Sequence, residues 1–351
     1  MSFTEDTYEQ SIIELLESLG YQHVYGPDIE RDYSTPLYEE VLNDKIRELN
    51  PNLNEEAISD ALYKLHNFDN PELIEKNLKF MDWLQNGIPV RYTINGEHRS
   101  DICYIVDFYN VKNNSFIVAN QWTFMERSNK RPDILIFLNG IPVVLMELKS
   151  PAREETNSSE AYSQIRNYMH EIPSMFIYNA FLVMSDMLLS KAGTITSDET
   201  RFMEWKSKDG TYSTQRIADF SVFFEGMFEK KRFLDILQNF ILFSDEGTKK
   251  YKILAGYHQY FAVKKAIART AEAEKTDGKG GVFWHTQGSG KSLSMVFYAK
   301  LLQSRLDSPT IVVITDRNDL DSQLFTQFCK CRGYLRQQPI QAESREGLVH
   351  L

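Results

Sequence analysis

Cysteine is scarce in this sequence, with only Cys103, Cys329 and Cys331 among 351 residues. These three form neither a disulfide framework nor a zinc-binding pattern, which suits a reducing compartment and excludes a small disulfide-stabilised protein. No apolar stretch approaches the length of a membrane-spanning helix, and Met1 is followed by an acidic helical segment. We therefore expect a cytoplasmic protein with neither an anchor nor an export signal.

An excess of positive charge is also missing, since 39 Lys and Arg stand against 49 Asp and Glu, for a net charge of −10. Binding to DNA through bulk electrostatics is therefore not expected, and a DNA site must be a local patch. The candidates surround one apolar hairpin and are Arg127, Lys130, Arg131, Lys149, Arg153 and Arg166. Their alternative interpretation is an ordinary solvated rim.

That hairpin is the segment RPDILIFLNGIPVVLMELK, residues 131–149. Asn139-Gly140 is a strong turn signal between two strand-forming runs. Both runs are apolar on both faces, so they should be central strands of a covered sheet. Charged residues at the ends of such strands are costly unless they are paired, hydrated or bound to metal.

The register of this hairpin decides which charged residues meet. Glu147 and Lys149 are two residues apart and share one face of their strand. A two-residue turn would place Asp133 on the other face, whereas a three-residue turn with a bulge at Gly140 would bring it onto the same face. We predict the three-residue turn.

If the three side chains converge, they have the chemistry of a metal-dependent hydrolase. Asp133 and Glu147 supply hard oxygen ligands for Mg²⁺, and Lys149 can orient or deprotonate water and stabilise negative charge on a phosphate. The alternative is structural, with Glu147 and Lys149 as a strand-end ion pair and Asp133 capping a turn. For the hairpin taken alone, the two interpretations are about even.

Two predicted helices add candidates to this site. In TYEQSIIELLESLGY, Glu9 falls on the apolar face, which suggests a third metal ligand or a partner for a lysine. In SSEAYSQIRNYMHEI, Gln164 and Tyr168 are four residues apart and face the same way. The alternatives are a carboxylate at the margin of a buried stripe and ordinary polar residues on a helix that packs on a sheet.

A second kind of chemistry lies further along the chain, in the segment HTQGSGKS, residues 285–292. An apolar run, GVFW, precedes it and a helix-forming run follows, so a strand, a loop and a helix are predicted in that order. Glycines let backbone N–H groups wrap a phosphate, and the helix presents its positive end to the same anion. The candidate nucleotide contacts are Thr286, Gln287, Gly288, Ser289, Gly290, Lys291 and Ser292, with Lys291 on the β- and γ-phosphates and Ser292 on Mg²⁺.

His285 stands where the usual pattern of such a loop has glycine, and the alternative is a Gly/Ser turn with an exposed lysine. Upstream, Gln259 lies in the helix-like run YHQYFAVKKAI, and its amide is able to pair with adenine. Downstream, PTIVVITDRNDLDSQL predicts a second buried strand that ends at Asp316, with a helix from Asn318 or Asp319. This alternation predicts a parallel sheet with crossovers.

The length of the chain predicts two to three domains, and 42% hydrophobic content supports a packed core. We expect a first domain over residues 1–215, with a helical insertion at about 36–87. Its sheet should include ICYIVDFYN, SFIVANQWTF, the hairpin and AFLVMS, and residues 207–214 should form a loop. A connecting helical segment, with EKKRFLDILQNFILF as its helix, covers 216–255, and a second domain begins at 256.

Taken together, these motifs resemble the N-terminal part of the motor and nuclease (R) subunit of type I restriction-modification enzymes. The resemblance spans nearly all of the chain. It rests on PD with ELK, on Gln164 and Tyr168, on Glu9, and on the segments MSD…AGT…RFMEW, YHQYFAV, WHTQGSGKS and TDRNDLDSQL. It implies an α/β chain with a PD-(D/E)xK restriction-endonuclease-like domain, followed by the start of a RecA-like P-loop domain of a superfamily 2 helicase or translocase.

The resemblance also implies a function and partners. Members of that family cut double-stranded DNA with Mg²⁺, coupled to ATP-dependent translocation along DNA, and assemble with methyltransferase (M) and specificity (S) subunits. Asp133, Glu147, Lys149, Glu9, Gln164 and Tyr168 would form the nuclease site. The DNA recognition sequence would be read by another subunit.

One departure from the family pattern is large. No DEAD- or DEAH-like acidic pair follows Asp316, and the Asp-Glu pairs of the sequence, 198–199 and 245–246, precede the phosphate-binding loop. We expect a chain that stops inside the first motor lobe, before the Walker B motif, as a truncated product, a fragment or half of an interrupted reading frame. ATP hydrolysis by this chain alone is then not expected. The alternatives are a nucleotide-binding motor fragment without nuclease activity and an inactive fragment that binds partner subunits.

Overall fold

The structure is a computed structural model that describes residues 4–149, 158–186, 189–211, 220–307, 309–342 and 344. The chain divides into two compact units, residues 1–238 and residues 239–351. The predicted boundary at 215/216, the last residues of the predicted loop (212–214) and Arg153 lie outside the described residues. No helix in the described ranges is long and apolar enough to cross a membrane.

The first unit contains both helices and strands. Its helices are α1 (Glu5–Ser18), α2 (Glu39–Leu49), α3 (Glu55–His66), α4 (Leu73–Asn86), α5 (Ser158–Glu171), α6 (Pro173–Ile177), α7 (Phe220–Phe228) and α8 (Lys230–Asn239). Its strands are β1 (Gln22–Tyr25), β2 (Ile88–Ile94), β3 (Glu97–Cys103), β4 (Phe116–Asn120), β5 (Phe124–Met125), β6 (Asn129–Lys130), β7 (Ile134–Leu138), β8 (Ile141–Leu148), β9 (Phe181–Ser185) and β10 (Ser190–Gly193).

Six of these strands form the main sheet of the described residues, in the order β1-β4-β7-β8-β9-β10. β1 and β4 are parallel, as are β8 and β9, and the other neighbouring pairs are antiparallel. The hairpin strands β7 and β8 lie in the middle, and every residue of both is buried. The central position that their apolar faces predicted is therefore confirmed.

The predicted three-residue turn is wrong. Leu138 pairs directly with Ile141, and the two-residue turn uses Asn139 at φ 52° and Gly140 at φ 81°. Both central residues are left-handed, as a turn of this kind requires. The turn therefore belongs to the class that, by itself, would place Asp133 on the wrong face.

A bulge inside β8 restores the alignment. Phe137 pairs with Pro142 but Ile136 pairs with Val144, so Val143 is the extra residue on its strand. Pro142 has no N–H to give to a ladder, and proline within a sheet is found at such irregularities. Beyond the bulge Leu135 pairs with Leu145, and the register continued by two residues sets Asp133 opposite Glu147.

The sheet is covered on both faces. One face packs beneath α5, in a core that includes Ala119, Leu135, Leu145, Leu182 and Ile165. On the other face Phe181 contacts Phe228 of α7 and Phe233 of α8, with ring centroids 5.8 and 6.1 Å apart. Asp133 and Glu147 continue the rows of Leu135 and Leu145, so their side chains belong to the α5 face.

The helical insertion predicted at about 36–87 is present as α2, α3 and α4. The prediction of ICYIVDFYN as a strand of the main sheet is wrong. Only Ile102 and Cys103 of that run are in a strand, and their strand β3 pairs with β2 in a separate two-stranded sheet. The Asp107 side chain accepts hydrogen bonds from Tyr109 N and Asn110 N, which turns the chain before a ladder can form.

SFIVANQWTF is a strand of the main sheet over its first part only, because β4 ends at Asn120. Gln121 follows at φ 53°, a left-handed conformation that stops a strand. Phe124 and Met125 instead pair with β6 in a short two-stranded ladder. In the run EKKRFLDILQNFILF, the helix α8 ends at Asn239, so the predicted helix is too long at its carboxyl end.

The second unit contains a hairpin and four helices among its described residues. They are β11 (Ile241–Asp245), β12 (Lys250–Leu254), α9 (Tyr257–Ala273), α10 (Lys291–Arg305), α11 (Asn318–Lys330) and α12 (Arg332–Leu335). The helix predicted from Asn318 is confirmed. β11 and β12 pair with each other.

The strands predicted at GVFW and PTIVVIT, with the parallel sheet that they implied, are not formed in the described part of this unit. Both runs have no regular secondary structure and expose apolar side chains, with Val282 95% and Ile314 87% accessible. A parallel strand needs neighbouring strands to bond its backbone and cover both faces. The strands that the structure describes here bond to each other and supply no such neighbour.

Candidate functional sites

The first candidate site lies where β7 begins and β8 ends. The Nζ atom of Lys149 lies 2.5 Å from Glu147 Oε1, and Asp133 Oδ2 accepts a hydrogen bond of 2.7 Å from the Leu148 backbone N–H. The backbone N–H of Lys149 donates to Ser185 O of β9 at 2.9 Å, which fixes the end of β8. The structure thus brings the two carboxylates and the lysine together.

Burial dominates the electrostatics of this group. Loss of solvent and then the charge of Glu147 raise the pKa of Asp133, and burial raises the pKa of Glu147 although Lys149 opposes it. Burial alone would lower the pKa of Lys149, but the Glu147 carboxylate beside it produces a net rise. When both carboxyl groups are ionised beside one ammonium, they carry an excess of negative charge that a further cation would neutralise.

A divalent cation fits this donor set. Glu147 Oε2 is buried without a hydrogen-bond partner, which is costly unless something binds it. Carboxylate oxygens are the ligands that Mg²⁺ prefers. No group of three or more His, Cys, Asp or Glu side chains arranged to hold a metal occurs in the described ranges, so Asp133 and Glu147 would bind the cation as a pair.

Gln164 and Tyr168 of α5 reach the same site from above the sheet. Tyr168 is 4% exposed, its hydroxyl donates to Arg131 O at 3.5 Å, and it lies close enough to Glu147 to oppose the rise in the pKa of that carboxyl. Burial, followed by the Glu147 charge, raises the pKa of the Tyr168 phenol, and the Gln164 side chain opposes that rise. The structure therefore places these two residues behind Glu147.

Glu9 is placed differently. Its carboxylate accepts a 2.6 Å hydrogen bond from Asn120 Nδ2. Asn120 alternates along β4 with Ala119, whose side chain packs on the α5 face, so Asn120 and Glu9 meet on the opposite face. Burial raises the pKa of Glu9, and the Asn120 and Gln121 side chains oppose that rise.

The acidic residue of α1 that acts on the site is Glu5, one turn earlier. The negative charge of Glu5 helps to raise the pKa values of Asp133, Glu147 and Lys149. Its effect is smaller than those of burial and of the charges that these three residues exert on one another. Sequence reasoning missed Glu5. Its spacing of four residues from Glu9 on the same helix was the available signal.

Several described residues of the proposed basic patch form contacts within the protein instead of extending freely into solvent. Arg127 Nη1 donates to His170 O at 3.0 Å, and Arg166 Nη1 donates to Ile195 O at 3.1 Å. Lys149 is held by Glu147. These contacts leave the guanidinium charges in place but tie both arginines to the backbone around α5.

The second candidate site is the loop before α10. Gly288 and Gly290 have φ values of 81° and 77°, and Gly290 is the residue that caps α10. Lys291 begins the helix, and its Nζ atom donates to His285 O at 3.0 Å and Thr286 O at 2.8 Å. The lysine therefore bonds to the backbone of the loop from Thr286 to Ser292 and closes it on itself.

Gln259 lies against this loop and is 5% exposed. Its Oε1 atom accepts from Gly256 N at 2.9 Å, and its Nε2 atom donates to Gly290 O at 3.0 Å. Both ends of the amide that was predicted to pair with adenine are thus bonded to backbone. The neighbouring His258, which sequence reasoning did not single out, lies 3.0 Å from Ser289 O through its Nε2 atom.

Comparison with known proteins gives one family for each part of the chain. The family model described as "Type I restriction enzyme R protein N terminus" matches residues 2–201. The family model described as "SWI2/SNF2 ATPase" matches residues 258–351. The first match contains the carboxylate site, and the second contains the glycine loop.

Individual relatives agree with these matches. The chain is 38% identical, over 99% of its length, to the type I restriction enzyme HindI endonuclease subunit of Haemophilus influenzae. It is 32% identical, over 91% of its length, to the putative type I restriction enzyme MjaIXP endonuclease subunit of Methanocaldococcus jannaschii. It covers 35% and 33% of these relatives, so the chain spans about a third of their length.

Proposed function

Because the chain belongs to the family of type I restriction enzyme R proteins, matching its N-terminal part, we propose that its first unit carries an Mg²⁺-dependent nuclease site for double-stranded DNA. The observation that carries the proposal is the β8 bulge, which sets Asp133 opposite Glu147 at the end of two central strands. The expected resemblance to the R subunit is confirmed.

The proposed fold of the first unit is the PD-(D/E)xK restriction-endonuclease-like fold. A mixed sheet with a central hairpin that ends in Asp133, Glu147 and Lys149 supports it. The second unit would be the start of a RecA-like motor lobe, supported by the ATPase family match. In terms of function, we divide the chain into a nuclease domain at 1–215, a connecting segment at 216–255 and the beginning of the motor at 256–351.

In this site Asp133 and Glu147 would hold Mg²⁺, which supplies a more acidic water and neutralises the scissile phosphate. Lys149 would turn its ammonium from Glu147 toward the phosphate and stabilise the charge that develops as water attacks. Tyr168, with Gln164 on the same face of α5, would help to hold the Glu147 carboxylate in position. Glu9 would act indirectly, by fixing Asn120. Asn120 pairs with Ile134, the residue next to Asp133.

The second unit would bind ATP with Mg²⁺ at the loop of Thr286, Gln287, Gly288, Ser289, Gly290, Lys291 and Ser292. Lys291 now donates to two backbone carbonyls, and on nucleotide binding it would donate to the β- and γ-phosphates instead. Ser292 would face the cation. In the whole R protein, ATP hydrolysis would drive translocation along DNA. Methyltransferase and specificity subunits would be its partners, in the cytoplasm.

The test is a calorimetric titration of Mn²⁺, used as a surrogate for Mg²⁺, into the wild-type chain and into Asp133→Asn. A matched control is Asp101→Asn, which removes one exposed carboxylate on β3. We expect saturable binding in the wild type and in the control, and loss of binding in Asp133→Asn. Cleavage assays with Lys149→Ala in the assembled complex would follow.

Equal binding by wild type and Asp133→Asn, or no binding by either, would contradict the nuclease site. The close pair of Glu147 and Lys149 would then be structural. A nucleotide-binding fragment without nuclease activity, or an inactive fragment that binds partner subunits, would be left.

A further inference from the structure

Two consecutive side chains of α9 hold two consecutive carbonyl groups of the glycine loop. His258 Nε2 lies 3.0 Å from Ser289 O, and Gln259 Nε2 lies 3.0 Å from Gly290 O. A carbonyl oxygen only accepts hydrogen bonds, so His258 donates through Nε2. A neutral imidazole with its proton on that nitrogen is sufficient for the contact.

The planarity of the peptide bond gives these contacts a consequence for an anion. In a trans peptide the C=O of one residue and the N–H of the next point in opposite directions. When His258 fixes the Ser289 carbonyl, it turns the N–H of Gly290 to the other side of the loop. Gln259 and the Ser294 backbone N–H, each 3.0 Å from the Gly290 carbonyl oxygen, together do the same for the N–H of Lys291. Backbone N–H groups at the start of a helix are the donors that bind phosphate.

The fit around the loop is close on the side of α9. A Cβ atom on Gly290 would lie 2.6 Å from Gln259 Nε2, so glycine is what allows the amide to reach the backbone. His258 stands beside His285, with ring centroids 5.4 Å apart, which limits the positions that its ring can take. Both side chains are therefore held against the loop by their surroundings.

We propose that His258 is a positioning residue of the nucleotide site, which with Gln259 presets the direction of two phosphate-binding N–H groups. The inference rests on the proposed binding of ATP by this loop and adds a residue that acts through the backbone of Ser289. It predicts that His258 contributes to binding of the triphosphate and not of the base.

The experiment measures binding of ATP and of inorganic triphosphate to the whole chain by calorimetry. His258→Leu removes the donor, and His258→Gln restores an N–H donor of similar reach. Arg269→Ala, an exposed change further along α9, is the matched control. We expect His258→Leu to weaken both ligands by about three- to tenfold, as for loss of one hydrogen bond. His258→Gln should recover most of that loss, and Arg269→Ala should bind like the wild type.

Three results would overturn the inference while leaving nucleotide binding intact. They are wild-type affinity in His258→Leu, equal weakening in His258→Gln and His258→Leu, or a loss seen with ATP but not with inorganic triphosphate. Absence of ATP binding by the wild-type chain is a different result, since it would contradict the proposed nucleotide site itself. Unfolding temperatures that agree among the variants confirm that a loss reflects the loop and not the fold of α9.

Discussion

The carboxylate site of the first unit lies at the ends of fully buried strands, whereas the glycine loop of the second unit follows an exposed run with no regular secondary structure. In the first, a backbone ladder fixes Asp133 and Glu147. In the second, side chains from α9 fix the loop. A single change of register or charge can therefore disrupt the site that the ladder fixes. In the site that side chains fix, each lost hydrogen bond should weaken ligand binding by a small amount.

The largest effect should come from breaking the buried pair in the hairpin site. The Glu147 side chain is 3% exposed and that of Lys149 is 18% exposed, so Lys149→Met would leave a carboxylate buried without its countercharge. We expect a loss of about 3–5 kcal/mol in the free energy of unfolding, measured by urea titration at pH 8 with a chelator present. The double variant Glu147→Gln/Lys149→Met should recover most of it. A loss below about 1 kcal/mol in the single variant would show that water reaches Glu147.

Glycine to alanine changes compare the two regions directly. Gly140 in the hairpin turn has φ 81°, and a Cβ there would lie 2.5 Å from Leu42 N and 2.6 Å from Tyr38 O, which are backbone atoms. Gly290 has φ 77°, but its nearest neighbour is the amide end of Gln259. We expect Gly140→Ala to cost about 3 kcal/mol or more of unfolding free energy and Gly290→Ala about 1–2 kcal/mol.

Gly247 is the matched control for this pair. It has φ 83° with nothing within 4 Å of its added Cβ, so Gly247→Ala reports the cost of the backbone conformation alone. Urea unfolding of the three variants should rank Gly140→Ala well above the other two. Similar losses in all three would mean that close packing around Gly140 relaxes freely and that the contrast between the regions is absent.

A smaller effect should appear in the pH dependence of the hairpin site. Burial, followed by the Glu147 charge, raises the pKa of Asp133 to about 8. An acid whose folded pKa is raised binds more protons when folded, so its contribution to stability falls as pH rises from about 4 through the folded pKa. Asp133→Asn, which keeps an acceptor for the Leu148 N–H, should be more stable than wild type at pH 8 by about 1–2 kcal/mol. Urea titrations at pH 5 and pH 8 with a chelator test this, and a wild type that gains stability toward pH 8 relative to the variant would contradict it.

The smallest effect concerns an exposed pair that serves as a reference for both sites. His66 contacts Glu39 Oε1 through Nε2 and Leu62 O through Nδ1, each at 2.7 Å, so both ring nitrogens donate and the ring is charged. The bond to Glu39 raises the pKa of His66. Its stabilisation is complete below the unfolded value and is lost as pH rises through the folded one. We expect less than about 1 kcal/mol, because both side chains are 38% exposed. An NMR titration of His66→Gln against wild type checks the assignment, and a His66 that titrates below about 6.5 would refute it.

Sequence patterns predicted the elements that bury a regular stripe or a continuous apolar run. The helices α1 to α4 and the central hairpin follow from such patterns, because their buried residues recur at the helical or strand period. Asp133, Glu147 and Lys149 were also identified from the sequence as neighbours, although through the wrong turn.

The remaining errors have local physical causes. The bulge at Val143 was missed because a two-residue turn and a proline in the strand act together, and neither determines the register alone. The role of Glu9 stays a prediction, and its contact with Asn120 could not be foreseen because the face of the sheet that the helix meets depends on tertiary packing. The apolar runs at GVFW and PTIVVIT have strand composition, yet a strand also needs partners, which the described residues of that unit do not supply.

The extra residue at Val143 determines which residues of β7 and β8 lie opposite each other beyond the turn. A regular ladder that paired every residue from the turn onward, Val143 included, would set Asp133 against Met146, so that Asp133 and Glu147 would lie on opposite sides of the sheet. Removal of Val143 itself would leave the alignment unchanged, because Pro142 and Val144 already pair with the consecutive residues Phe137 and Ile136. A homologous hairpin that lacks the extra residue would therefore still align the two carboxylates, through a regular ladder in place of a bulged one.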